Sequence, residues 1–113
     1  IQALYVSWDQ PALRVIKALK EMHREDIAVF TTDLDTEIAQ YMENGIVKGI
    51  STQRFYEQGQ AAALVVAKAL VNESVPKYVG VQPYMVEPNQ LGRAWKEIFH
   101  TSMPEELSKG KQL

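Results

Sequence analysis

A chain of 113 residues with 46% hydrophobic residues is sized for one small core or for part of a larger domain. Its net charge of -2, with the two signs interspersed, leaves no electrostatic footprint for nucleic acid or an anionic membrane. The absence of cysteine excludes disulfides, thiolate metal sites and a cysteine nucleophile, and the longest apolar run, residues 61–67, is far too short to cross a bilayer.

Strand-like and helix-like patterns alternate, which is the signature of an α/β fold with a parallel sheet and flanking helices. Residues 3–8 (ALYVSW) read as the first strand. Asp9 then offers an N-cap, with Pro11 near the first helical position, where a missing N–H costs nothing. Ala12, Leu13, Ile16, Leu19 and Met22 follow at helical spacing and define one apolar face. His23-Arg24-Glu25 ends that helix, with cations where the dipole favours them. Residues 26–32 (DIAVFTT) read as the second strand. The turn Asp33-Leu34-Asp35-Thr36 supplies Asp35 or Thr36 as the cap of a short helix through Glu43, with Glu37 in its first turn. Asn44-Gly45 stops that helix as a left-handed C-cap. Residues 46–52 (IVKGIST) read as the third strand, with Gly49 at a bulge or a close backbone approach.

Residues 55–71 form a long alanine-rich helix carrying Leu64, Val65, Ala69 and Leu70, ended by Asn72-Glu73-Ser74 and Pro76. Residues 77–86 are extended. Pro83 cannot donate to a ladder, so this stretch belongs at a sheet edge or in a connection between structural units. Pro88-Asn89 opens a last helix with Leu91, Trp95 and Phe99, and Pro104 begins a tail ending in the polar SKGKQL.

Open α/β sheets bind ligands outside the carboxyl ends of their strands. Here three such ends, each closing an apolar run that reads as a buried parallel strand, carry Trp8-Asp9, Asp33 and, 20 residues further on, Gln53. A carboxylate accepts from two neighbouring hydroxyls, an amide donates and accepts at once, and an indole covers a patch of C–H. That combination suits a polyol. Each residue also has a plainer role. Asp33 resembles a helix cap, although Asp35 and Thr36 already supply one; Gln53 has the alternative of closing a strand in solvent. Trp8 either stacks on the ligand or caps the sheet from the core, and Asp9 fits an N-cap better than a direct ligand.

Asp33-Leu34-Asp35-Thr36-Glu37 lacks the glycine and the distal glutamate of an EF-hand loop, so no metal is expected there. His23 and His100 lie far apart, no serine occupies a nucleophile elbow, and no glycine-rich loop is placed to cradle phosphate. The expectation is therefore a binding protein with no catalytic residue, cofactor or metal.

The ordered set VSWDQPAL (residues 6–13), AVFTTD (28–33), ISTQ (50–53) and the glycine-closed turn at 54–59 resembles the C-terminal part of the type I periplasmic sugar-binding proteins. That ribose-binding-protein-like family shares its fold with the effector domains of LacI-type repressors. Trp8 stands where the family usually carries Asn, and Asp33 matches its ligand-gripping Asp. The resemblance implies a periplasmic-binding-protein-like I fold in which two lobes, joined by three crossings, close on a sugar. It assigns residues 1–52 to the C-terminal lobe, 53–76 to a crossing and a helix of the other lobe, and 77–113 to the return crossing and C-terminal helix. The function implied is the substrate-binding component of an ABC-type sugar importer, taking a monosaccharide or related polyol. Its partner would be the transporter permease and its location periplasmic or extracytoplasmic, a cell-surface lipoprotein included. The alternative is a cytoplasmic effector-binding domain of a LacI-type transcriptional regulator, in which this segment itself touches no nucleic acid.

The chain opens at Ile1, inside a strand-like run and without Met, as expected for a piece of a longer protein. A long helix made for an absent lobe leaves an apolar patch. The piece by itself is therefore expected to self-associate, or to take up a separate chain that supplies the missing half.

Overall fold

The computed structural model describes residues 1–108, so the polar tail lies outside the described residues from Lys109 onward. In chain order the elements are β1 (Ala3–Tyr5), α1 (Asp9–Glu21), β2 (Ala28–Thr32), α2 (Thr36–Glu43), β3 (Val47–Thr52) and α3 (Phe55–Leu70). β4 (Tyr84–Val86), a 3-10 turn (Pro88–Gln90), α4 (Leu91–Phe99) and α5 (Glu105–Ser108) follow. The sheet order is β1-β2-β3-β4. The first three strands are parallel, and β4 is antiparallel to β3 at the edge. The sheet is thus mixed rather than wholly parallel. α3 carries the chain away from the end of β3, and the return re-enters beside that same end, so β4 must run backwards. Pro83 precedes it at the sheet edge, where its missing N–H is tolerated.

Beyond shifts of one to three residues elsewhere, the boundaries beside the first strand end differ from the sequence reading. β1 stops at Tyr5, although the Val6 N–H still donates to the Phe30 carbonyl at 2.9 Å. Trp8, extended at φ -161 and ψ 172, is the N-cap of α1, and Asp9 is its first helical residue rather than the cap. The reason lies in the ladder: the Ala12 N–H donates to the Trp8 carbonyl at 3.2 Å, which makes Trp8 the half-in residue. Pro11 remains within the first turn, where N–H groups have no intrahelical acceptor. The Asp9 carboxylate instead accepts from the Gln10 N–H at 2.7 Å.

The second helix is closed at both ends as its residues dictate. Asp35 accepts from the Ile38 N–H at 2.7 Å. Gly45, at φ +75, turns the chain out while its N–H reaches the Met42 carbonyl and the Ile46 N–H reaches that of Tyr41, each at 3.0 Å. Gly49 sits at a bulge: pairing passes from Val29–Val47 to Phe30–Gly49, leaving Lys48 without a partner in β2.

α1 and α2 pack against each other and against the sheet in one core cluster, on one face, the arrangement expected of right-handed crossovers. The core forms there from Ile16 and Leu19 of α1, Ile38, Ala39 and Met42 of α2, Val29, Val47 and Ile50 of the sheet, and Ile98 and Leu107 beyond. Among the described residues, no helix covers the other face. Tyr5, Phe30 and Met85 share it through the strand register and are 68%, 40% and 70% exposed. Among the described residues the strands are therefore covered on one side only.

The long helix α3 contains no buried residue. It projects from the body, which gives extents of 58 × 31 × 18 Å and a radius of gyration of 17.1 Å, against about 13 Å for a compact chain of this length. Aromatic contacts hold its base: Phe55 stacks on Phe99 at 5.9 Å and Tyr56 on His100 at 3.9 Å, while Trp95 packs against Phe99 at 4.6 Å.

Candidate functional site

A cleft of about 550 Å³ opens at the carboxyl ends of the strands, lined by Ser7, Trp8, Thr32, Asp33, Ser51, Thr52, Gln53 and Pro83. Three of the four residues singled out in the sequence, Trp8, Asp33 and Gln53, thus share one concavity. Asp9 does not line it.

Each side chain is delivered by a specific local device. The Thr32 hydroxyl donates to the Ser7 carbonyl, which ties the β1–α1 loop to the end of β2 and seats Trp8 beside Asp33. The Asp33 N–H extends the ladder to the Ser51 carbonyl at 2.9 Å. Asp33 then turns into the left-handed region at φ +69, a conformation that aspartate tolerates better than most residues but at some cost. Because Asp35 fills the N-cap, the Asp33 carboxylate is not committed to the helix. It accepts instead from Gln53 Nε2 at 3.1 Å through Oδ1, and Gln53 Oε1 accepts from Gln58 Nε2 at 3.0 Å. Among the described residues, no protein group donates to Asp33 Oδ2. The cleft therefore offers an open carboxylate oxygen, an amide fixed in direction and a half-exposed indole (52%). That set accepts hydroxyl protons and covers a C–H face.

Thr32 and Gln58 escaped the sequence reading. Thr32 carried one usable signal, a hydroxyl residue closing a strand directly before the Asp. Gln58 carried none, because its role depends on how the first turn of α3 leaves the sheet.

Asp9 lies instead beside Asp35. Burial is the main force raising the Asp35 carboxyl above its ordinary value; repulsion from Asp9 and Glu37 adds to it, and the Ile38 N–H opposes it. A carboxyl whose folded value is raised binds more protons in the native state. Its contribution therefore makes the fold more stable as pH falls toward the ordinary value of 3.8 and less stable as pH rises through the raised one. Asn caps a helix as well as Asp, so Asp35→Asn should unfold at a higher temperature than the parent at pH 7, with the difference shrinking toward pH 4. Thermal unfolding of both proteins across that range checks it; a lower midpoint for Asp35→Asn at pH 7 contradicts it.

A larger concavity of about 780 Å³ lies on the open sheet face, over Ala3, Tyr5, Phe30, Gly49, Ile50 and Met85. It is also lined by Lys48, Ser51, Glu87 and Gln90, but it lies over the sheet face and not at the carboxyl ends of the strands, where open α/β sheets bind their ligands, so the smaller cleft is the better candidate site. Among the described residues no cluster of His, Asp or Glu is arranged to hold a metal, and no helix is long and apolar enough to cross a membrane.

A family profile described as a periplasmic binding protein domain matches residues 1–74. No curated protein sequence gives a significant match. Solved structures do. The glucose-galactose binding protein GanP from Geobacillus stearothermophilus is similar with a TM-score of 0.74 at 23% identity, over 80% of this chain and 33% of its own. An ABC transporter periplasmic solute binding protein from Actinobacillus succinogenes, solved with bound D-allose, gives 0.76 at 18% identity, over 82% and 33%. The 5-methylthioribose transporter solute binding protein from Thermotoga lettingae gives 0.71 at 22%, over 96% and 38%. The chain spans about a third of the length of these proteins. Its fold is that of the periplasmic-binding-protein-like I class, and with two-thirds of its length matched by the profile, the chain belongs to the periplasmic binding protein family.

Proposed function

We propose that this chain is part of the substrate-binding component of an ABC-type importer, taking a monosaccharide or related polyol outside the cytoplasmic membrane. The observation that carries the reading is the Asp33–Gln53 pair, joined at 3.1 Å in the cleft that Trp8 also lines. The carboxylate would accept from ligand hydroxyls, Gln53 would add a donor, and the indole would cover the C–H face of the ring. Residues 1–52 belong to one lobe, residues 53–76 to a crossing and a helix of the other, and residues 77–113 to the return crossing and C-terminal helix; the three tips grip the ligand when the lobes close. Binding is the whole task, with no bond made or broken, and the transporter permease is the partner that receives the loaded protein. Similar structures named as sugar-binding or ABC-transporter solute-binding proteins favour transport over a LacI-type effector domain.

A thermal-shift screen of the full-length protein with D-ribose, D-allose, D-glucose, D-galactose and allitol tests this. At one hundred times its Kd, a true ligand stabilises by about 2.7 kcal/mol, a shift of several degrees. No shift with any member of the panel, or a shift only with charged solutes, sinks the proposal.

A further inference from the structure

We propose that Gln58 is a positioning residue whose side-chain amide fixes the direction in which the Gln53 amide faces Asp33. The functional consequence rests on the reading of Asp33 and Gln53 as the sugar-gripping pair; the positioning itself does not.

The three side chains form one directed chain, Gln58 Nε2 to Gln53 Oε1 at 3.0 Å and Gln53 Nε2 to Asp33 Oδ1 at 3.1 Å. Its direction follows from the donor inventory. A carboxylate only accepts, whereas a glutamine amide presents a donor at one end and an acceptor at the other. Beside Asp33, Gln53 must therefore turn its NH2 inward and its carbonyl away. Gln53 is exposed and follows β3 on an irregular link, so nothing in its own packing prevents the amide from flipping. Gln58 supplies the missing donor from a firmer place, a half-buried position in the first turn of α3. There its N–H reaches the Arg54 carbonyl at 2.9 Å. Arg54 in turn pairs with Glu57 at 3.6 Å and lies 4.8 Å over the Tyr84 ring.

Two consequences follow. The cleft keeps an open carboxylate oxygen and the second N–H of Gln53, which suits neutral hydroxylated ligands and repels carboxylated ones. The chain also links α3 to the end of β2, so a movement of the helix relative to the sheet redirects the amide that meets the ligand.

The test uses Gln58→Met, which removes the donor at similar length, and Gln58→Glu, which keeps the shape but can only accept. In the ligand-free 113-residue protein, the assigned Gln53 side-chain NH2 resonances should move toward those of solvent-exposed glutamines in both variants. In the full-length protein, affinity for the tightest of D-ribose, D-allose, D-glucose and D-galactose should fall about five- to tenfold, the loss of one oriented hydrogen bond. Unmoved Gln53 resonances, or Gln58→Glu binding as tightly as the parent, overturn the proposal. Resonances that move in a protein that binds none of these sugars leave the positioning standing and count against the sugar-binding reading instead.

Discussion

Asp33→Asn should weaken sugar binding by about two orders of magnitude and leave the fold intact. A hydrogen bond to a charged group is worth about 1.5–3 kcal/mol and a neutral one about 0.5–1.5, so two hydroxyls held by a carboxylate lose about 2–3 kcal/mol together when the charge goes. Each 1.4 kcal/mol is tenfold in Kd. The substitution is chosen for its backbone. Asp33 sits at φ +69, which Asn accepts, whereas Ala there adds a cost of about 1–2 kcal/mol that confuses binding with folding. Calorimetry on the full-length protein measures the affinity and circular dichroism the fold. An affinity within twofold of the parent removes Asp33 from the site.

The 113-residue chain by itself should be a dimer or larger at micromolar concentration. Its arm is the cause: Leu64, Val66, Leu70 and Val71 of α3 and its end are 59%, 58%, 78% and 66% exposed, and no residue of the helix is buried. An apolar surface of that extent is uncommon on a monomer. Val66 and Leu70 are neighbours one helical turn apart, so the pair Val66→Lys and Leu70→Lys should return the chain to a monomer without touching the core. Light scattering coupled to size-exclusion chromatography reads both states. A parent chain that runs as a monomer at high and low concentration alike contradicts the expectation.

Much of this fold was legible because local chemistry and tertiary structure agree. Asp35 and Gly45 close α2 where a cap and a left-handed glycine belong, Gly49 marks a bulge, and Pro83 flags an edge. The convergence of Trp8, Asp33 and Gln53 followed from strand ends sharing one side of a parallel sheet. What escaped depends on contacts that no periodicity records. Short apolar runs such as AVF cannot say whether one face or both are covered, so the open side under Tyr5, Phe30 and Met85 was not legible in them. The backward course of β4 depends on where the α3 excursion returns. Gln58 acts through geometry five residues beyond Gln53, and the cap of α1 fell on Trp8, read as the end of a strand, instead of Asp9 over a single ladder bond.

A neutral sugar should enter the cleft at the strand ends and not the larger hollow on the open sheet. Titrating the ¹⁵N-labelled full-length protein with the best sugar of the panel, and following the Trp8 indole, the Asp33 backbone amide and the Gln53 side-chain amide, reads this directly. Saturable shifts should appear at these three groups and leave Tyr5, Phe30 and Met85 unmoved. Shifts confined to the latter three, with Asp33 and Gln53 silent, would contradict the account.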